Sequence, residues 1–315
     1  MKEMNRSSRN SAGFTIVELL IVVVVIAILA AITIVSYNGI TNRAKESAAQ
    51  SNAAQVGKKV AQLAITNNDL YPTDKTAFLT GIGVADADAG SYEYIVSPDQ
   101  KNFCASVVKQ GISYGYTSTN ATAIKGKCVT NLIANPSAVG APSPYFSLAG
   151  GSYAPSTRAI ATDRFHSAPS SLRNIVTGTG QLSVMGRPAS PFLVQAGETL
   201  SWSYWVYSSK STNATDLAEG ARPVGSTYIN SGPQTISIPA NTWTKFSRTW
   251  QATEDINVSQ IGFYNIQAVS GDSLWFDDLT VQRGSVLYKY ADGNGNGFWN
   301  GAPNESSSVN IVEAE

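Results

Sequence analysis

Between Gly13 and Val35 the chain reads GFTIVELLIVVVVIAILAAITIV, apolar at almost every position and interrupted by one charge, Glu18. As a helix, the 24 residues from Phe14 to Tyr37 span roughly 36 Å, more than the roughly 30 Å of a bilayer's hydrocarbon. The pattern therefore predicts a transmembrane helix over residues 14–37. Beyond it the apolar positions thin to a stripe: Ala49, Ala53, Val56, Val60 and Leu63 follow at spacings of four, three, four and three. Arg43, Lys45, Glu46, Lys58 and Lys59 mostly occupy the other faces, and Asn67, Asn68 and Tyr71-Pro72 end the pattern. A continuous helix from Phe14 to Thr66 would hold 53 residues and measure roughly 80 Å.

The pattern then shortens to strand-length runs: YEYIV at Tyr92, FCASVV at Phe103, ISYGYTS at Ile112 and a last segment into Cys128. Their spacing predicts an antiparallel sheet of three or four strands, which would cover the helical stripe. TNLIANPSAVGAPSP, at 130–144, marks a boundary, and the helical period does not return after it. LSWSYWVY, TISIPA, WTKFSRTW, IGFYNI and SLWFDDLTV recur between Gly, Ser, Asn and Pro, which predicts a β-sandwich. In the first of these, Leu200, Trp202, Tyr204 and Val206 share one face and belong in the core. Trp205 and Tyr207 share the other face, and Trp275 lies opposite Leu274 and Phe276 in the same sense.

Composition adds that 315 residues, 43% hydrophobic and 14% charged, suffice for a membrane helix and two globular domains. With 22 basic and 22 acidic residues no global field favours nucleic acid, and none is expected as a partner. Lys2, Arg6 and Arg9 outweigh Glu3 before the apolar run, which places the N-terminus in the cytoplasm and the later domains outside it. Cys104 and Cys128 then both lie where disulfides persist, and are expected to pair.

A carboxylate such as Glu18 within an apolar helix is costly, and marks a function or a partner. The stretch GFTIVELLIVVVVIAILAAI resembles the leader and helix start of type IV prepilins. That resemblance implies cleavage after Gly13 by a prepilin peptidase and methylation of the new N-terminus at Phe14. The freed amine would sit one turn from Glu18 and pair with it, within a subunit or from the next subunit, which makes Glu18 the assembly residue. Val35 stands where many relatives carry a helix-kinking proline. YNGITNRAKES, from Tyr37 to Ser47, and the helix-plus-sheet pattern also resemble bacterial pilins. The implied fold is an α+β pilin followed by an all-β jelly-roll sandwich: leader 1–13, transmembrane helix 14–37, helix extension and head 38–130, sandwich 131–283 and a flexible tail 284–315.

NLIANPS and LWFDDLTVQRG resemble the first and last strands of jelly-roll carbohydrate-binding modules. On that resemblance Trp205, Tyr207 and Trp275 are candidates to stack against a sugar ring, and a structural calcium is implied with Asp277 as its ligand. Asp277 and Asp278 are adjacent, so a regular strand would point them to opposite faces. Asp292, Asn294, Asn296 and Gly297 match half of a calcium loop, but Pro303 replaces the closing acid and a polar turn is expected. The one histidine, His166, has no recognisable nucleophile elbow, and no CxxC pair, HExxH, Walker loop or dinucleotide fingerprint occurs. No enzyme activity is expected. The reading is a minor or tip pilin-like subunit, assembled with other pilins through an inner-membrane platform and displaying a domain for a polysaccharide or a host or cell surface. The alternative is a pseudopilin of a type II secretion or DNA-uptake machine, without glycan binding; a membrane-tethered glycan hydrolase is the third reading.

Overall fold

The computed structural model describes residues 15–134, 146–147, 156–167, 169–188, 190–223, 228–290, 292–294, 296–301 and 307–314. The expected cleavage and methylation positions, Gly13 and Phe14, lie outside them. The chain divides into two compact units, 1–48 and 49–315.

In the first unit helix α1 (Ile16–Thr66) begins, and its large apolar side chains face outward. Leu19, Leu20, Ile28, Leu29 and Ile32 are all more than half exposed. A row of that length needs lipid or other helices around it, and the segment is long and apolar enough to cross a membrane.

The second unit opens with the other end of α1, where Ala49, Ala53, Val56, Gly57, Val60 and Ala64 are buried and Leu63 packs beside them. This is the stripe read from the sequence. It is covered by an antiparallel sheet of β1 (Tyr92–Val96), β2 (Phe103–Lys109), β3 (Ile112–Thr117) and β4 (Asn120–Lys125), in that order. Small residues on the helix allow close approach: a Cβ added at Gly57 would lie 2.2 Å from the Tyr116 ring. A short helix not expected from the hydrophobic pattern, α2 (Lys75–Ile82), is capped by the Asp74 carboxylate and ended by Gly83 at φ 73°. It brings Phe78 flat against Tyr94, with ring centres 4.5 Å apart. The expected disulfide joins Cys104 on β2 to Cys128 on β5 (Lys127–Asn131).

Two antiparallel sheets make the sandwich. The strands in chain order are β6 (Phe146–Ser147), β7 (Ser156–Ala161), β8 (Ser171–Val176), β9 (Gly180–Gly186), β10 (Phe192–Val194) and β11 (Thr199–Ser208). They continue with β12 (Thr212–Ala221), β13 (Tyr228–Asn230), β14 (Gln234–Ile238), β15 (Thr244–Gln251), β16 (Ile256–Ala268) and β17 (Ser273–Arg283). One sheet runs β13-β12-β16-β9-β6 with β10 and β14 attached, and the other runs β15-β11-β17-β8-β7. Leu200, Trp202, Tyr204 and Val206 point between the sheets and are fully buried, as their alternation predicts. Asp216 on β12 reaches across to the opposing sheet and accepts hydrogen bonds from Trp202 Nε1 (3.1 Å) and the Tyr204 hydroxyl (2.6 Å). Those bonds and Arg248, 3.5 Å away, compensate a buried carboxylate.

The expected flexible tail is corrected. β19 (Ser308–Val312) pairs with β5 and is buried along its length, and β18 (Phe298–Trp299) pairs with β19. Asn296 and Gly297 offer their carbonyls to Thr117 and Thr119 at the β3–β4 turn. The polar turn thus docks on the helix-and-sheet head, since alternating SVNIV supplies Val309 and Ile311 to the apolar cluster around the disulfide.

Candidate functional site

Two places carry the predicted site residues. At the start of α1, Thr15 caps the helix and Glu18 answers it: Glu18 Oε2 accepts from Thr15 N at 2.9 Å and from Thr15 Oγ1 at 2.7 Å, while Glu18 N donates to Thr15 Oγ1 at 3.2 Å. This is a capping box, legible in the sequence as T-I-V-E but not anticipated. It gives Glu18 a local partner at the N-terminal end of the helix, where a negative charge is favoured.

The second place is the outer face of the sheet containing β11 and β17. Trp205 and Tyr207 lie there, as predicted, and both are half-buried. Tyr207 sits opposite Trp275 in the β11–β17 register, with rings edge to face at 5.3 Å. Trp243, from the turn before β15, adds a third ring 5.8 Å from Tyr207. Yet these rings do not present open faces. The segment after β7 brings His166 flat onto Trp205, ring centres 3.7 Å apart at 13°, and sets the Arg164 guanidinium 4.0 Å over Tyr207. Arg164 and Arg173 flank Trp275 at 4.9 and 4.8 Å, and Trp275 is only 6% exposed. As a stacking surface for a sugar Trp275 is therefore corrected: its ring is covered by guanidinium groups.

What holds the covering segment is the Asp277–Asp278 pair. Apolar side chains Leu274 and Phe276 point into the core, but so do Leu279 and Val281, so the alternation changes parity between 276 and 279. Asp278 has φ 54°, and the register against β11 slips between Ser203 and Trp205. This β-bulge turns both aspartates outward, correcting the expectation of opposite faces. Asp277 Oδ2 accepts from the backbone N–H of His166 (2.9 Å) and Ser167 (3.1 Å), and Oδ1 from Asp278 N (2.9 Å). Asp278 Oδ2 takes His166 Nδ1 at 2.6 Å and Ser167 Oγ at 2.7 Å, while its Oδ1 is buried without a partner. Burial first, then the charge of Asp278, pushes the Asp277 carboxyl up to about 8, and burial raises Asp278 as well.

This donor set does not suit a hard cation at Asp277. Its oxygens face N–H groups, whereas calcium takes six or more oxygens. Among the described residues no group of three or more His, Cys, Asp or Glu side chains is placed to hold a metal. Nor do His166 and Ser167 form a nucleophile and base, because both bond to Asp278 rather than to each other. Open clefts of about 380 Å³ beside Glu93, Lys127 and Tyr288, and about 480 Å³ beside Ser113, Val312 and Tyr288, do not border the aromatic face. Arg164, Arg173, His166 and Trp243 were not predicted for this face. They come from a loop, a neighbouring strand and a turn, with no shared local pattern.

Comparison with known proteins adds the following. Residues 8–34 match the family model of the prokaryotic N-terminal methylation motif. Over 123 residues, 39% of this chain and 90% of the relative, the sequence is 33% identical to the type IV wide pilus major component PilA4 of Thermus thermophilus. Similar solved structures include a family 16 carbohydrate-binding module (TM-score 0.34, 12% identity, 48% of this chain and 99% of that one). The CBM22-1 xylan-binding domain of Paenibacillus barcinonensis Xyn10C has TM-score 0.37 at 10% identity, over 50% of this chain and 95% of that one. The arabinose-bound MgGH51 arabinofuranosidase has TM-score 0.39 at 15% identity over 50% of this chain; the chain spans only 27% of that enzyme's length.

Proposed function

The chain belongs to the type IV pilin family, and from that premise we propose that it is a minor or tip subunit that displays its sandwich for adhesion to a glycan-bearing surface. A prepilin peptidase cuts after Gly13 and Phe14 is methylated. The helix anchors the subunit in the membrane with its N-terminus cytoplasmic, and an assembly platform then moves it into a surface filament among other pilins. In the filament Glu18 exchanges part of its capping role at Thr15 for the amine of Phe14.

The observation that carries the minor or tip reading is the pairing of β19 with β5. The sandwich leaves the pilin head at β5 and the chain returns to the same sheet at β19, so the bulky domain is held at both of its ends. A subunit carrying such a load suits display more than repetitive packing along a shaft. Quantifying the protein in sheared filaments tests this: a small fraction relative to a smaller shaft pilin is expected, and abundance equal to the main subunit would overturn it. Retention in the envelope with no extracellular filament would instead favour the pseudopilin of a secretion or DNA-uptake machine.

For the adhesive surface we place the contact at the ring edges of Trp205 and Tyr207, whose faces His166 and Arg164 cover, and at Trp243, supported by their clustering on one outer sheet face. Binding of the full-length detergent-solubilised protein to a glycan array, weakened by Trp205→Ala, is the expected result. Indifference of the wild type to every glycan would remove the ligand class.

A further inference from the structure

The π-faces of the sheet's aromatics are already occupied, which changes the chemistry that the face offers outward. Arg164 lies over Tyr207, and Arg164 and Arg173 both lie within 4.9 Å of the Trp275 ring centre. Stacking uses the flat face of a guanidinium and leaves its in-plane N–H donors for another partner. Only one of these is spent on a described group, Arg173 Nη2 on Ser273 Oγ at 3.2 Å. Arg164 Nε, Arg173 Nε and Trp275 Nε1 are all buried without a hydrogen-bond partner. Among the described residues no carboxylate forms an ion pair with either arginine.

Other charges nearby do not supply the missing counter-charge. Asp277 and Asp278 are committed to His166 and Ser167, and Asp272 to Lys210 at 2.5 Å. Lys245, opposite Trp205 in the β11–β15 register, adds a further positive group to the same side. Two guanidiniums around one indole repel each other, and three buried donors without acceptors each carry a desolvation cost. One group relieves the repulsion: an anion with two or more oxygens, which a guanidinium binds in bidentate fashion through its terminal nitrogens.

We propose that this face binds an anionic saccharide, with its carboxylate or sulfate held by Arg164 and Arg173 and its ring against the edges of Tyr207 and Trp243. This rests on the reading of the face as a glycan-contact surface, and replaces neutral-ring stacking by charge recognition. The in-plane donors select oxygen anions, and the aromatic base fixes the guanidiniums so that little side-chain freedom is lost on binding.

The test uses the full-length protein in detergent and four probes: polygalacturonate, dextran sulfate, neutral galactan and single-stranded DNA. Polygalacturonate or dextran sulfate is expected to bind at least roughly tenfold more tightly than galactan, the size of one charge-assisted hydrogen bond, and to weaken as salt is raised. Which of the two prevails identifies the anionic group. Arg164→Gln is expected to lose roughly tenfold, and Arg164→Lys to recover part of it. The wild-type preference is readable even if a variant folds poorly. Equal binding of galactan and both anionic polymers, sensitive to Trp205→Ala, would overturn this inference and leave the glycan surface standing. Failure of every polysaccharide would overturn both, and DNA binding without polysaccharide binding would replace the ligand class.

Discussion

Raising the pH from about 5 to 8 should destabilise the sandwich, because Asp277 and Asp278 are buried side by side under His166 and Ser167. An unfolded aspartate ionises near 3.9, whereas Asp277 in the fold is pushed up to about 8, chiefly by burial. Between those values the native pair holds a proton that the unfolded chain has released. The slope of unfolding free energy with pH is then negative, about 1.4 kcal/mol per unit for one proton. The contribution is present in full below about pH 4 and is lost as pH rises through the native value. Asp216, raised by burial, acts in the same direction. Carboxylates that their partners hold low, such as Glu254 beside Arg222, change stability only in the acid range below this window.

For a domain of this size about 1.4 kcal/mol per unit corresponds to roughly 3–6 °C per pH unit in Tm. Five of the six tryptophans, 202, 205, 243, 250 and 275, lie in the sandwich, so intrinsic fluorescence reports this unfolding. Asp277→Asn keeps a carbonyl acceptor for the His166 and Ser167 N–H groups but carries no ionisable proton. It should lose about 1 kcal/mol at pH 5, because its amide NH2 group is a donor and cannot accept from Asp278 N as Oδ1 does. It should also show a much flatter profile, and equal or exceed the wild type at pH 8. Stability that rises between pH 5 and 8, or an asparagine variant with the wild-type slope, would refute the shared-proton account.

Three further outcomes are expected. Gly57→Ala should cost about 1–3 kcal/mol in denaturant unfolding of the head, since its Cβ would meet the Tyr116 ring at 2.2 Å; an unchanged midpoint would mean that the helix and sheet are less tightly seated. Opening the Cys104–Cys128 disulfide, by reduction or by Cys128→Ser, should cost roughly 3 kcal/mol in the chain-entropy model and raise protease sensitivity around β2 and β5, which limited digestion followed by mass spectrometry reads directly. Removing residues 307–315 should leave the β5 edge unpaired and lower the head's unfolding midpoint, whereas a truncation without effect would show that β19 is dispensable.

What the sequence made legible was local and periodic. The stripe from Ala49 to Leu63 and the alternation from Leu200 to Tyr207 each bury what their period assigns to the core, because one face of each element meets a single packed layer. The pairing of Cys104 with Cys128 also followed from two cysteines placed outside a membrane. What escaped was of two kinds. Some of it was written in short signals passed over, such as Thr15 and Glu18 as a capping box, or Asp74 and Gly83 bracketing an eight-residue helix. The rest was non-local. The bulge at Asp278 requires a positive φ that aspartate adopts only in context, and it alone reverses the direction of an acidic side chain. The covering of Trp205 and Trp275 depends on a loop more than thirty residues away in sequence from either ring. Likewise SVNIV reads as a strand, but its partner lies at Lys127–Asn131 and no local pattern names it.

That last pairing explains how a pilin head carries so large an addition. Closing a loop costs free energy only as the logarithm of its length, so lengthening a connection from about 10 to about 150 residues adds roughly 2.4 kcal/mol. Even this is reduced when the inserted segment folds by itself with its ends together. Here Asn131 brings them together: Ser308 is its neighbour in the β5–β19 register, while its side-chain amide donates to Leu279 O at 3.0 Å and its Oδ1 accepts from Val281 N at 3.0 Å. Leu132 N donates to Val281 O at 2.8 Å, continuing the junction into the sandwich. The last strand of the sandwich, β17, is therefore fastened to the residue where the chain leaves the head. The head sheet sees a short connection in space, although a long one in sequence. Asn131→Ala would remove both bonds to β17 and the one that Oδ1 accepts from Ile133 N, and leave the Val281 N–H unsatisfied in a buried junction, so its effect should appear in the sandwich and the head together, as a loss of about 2–3 kcal/mol in each unfolding step. A loss confined to one of them would mean that the two folds are joined by the chain alone.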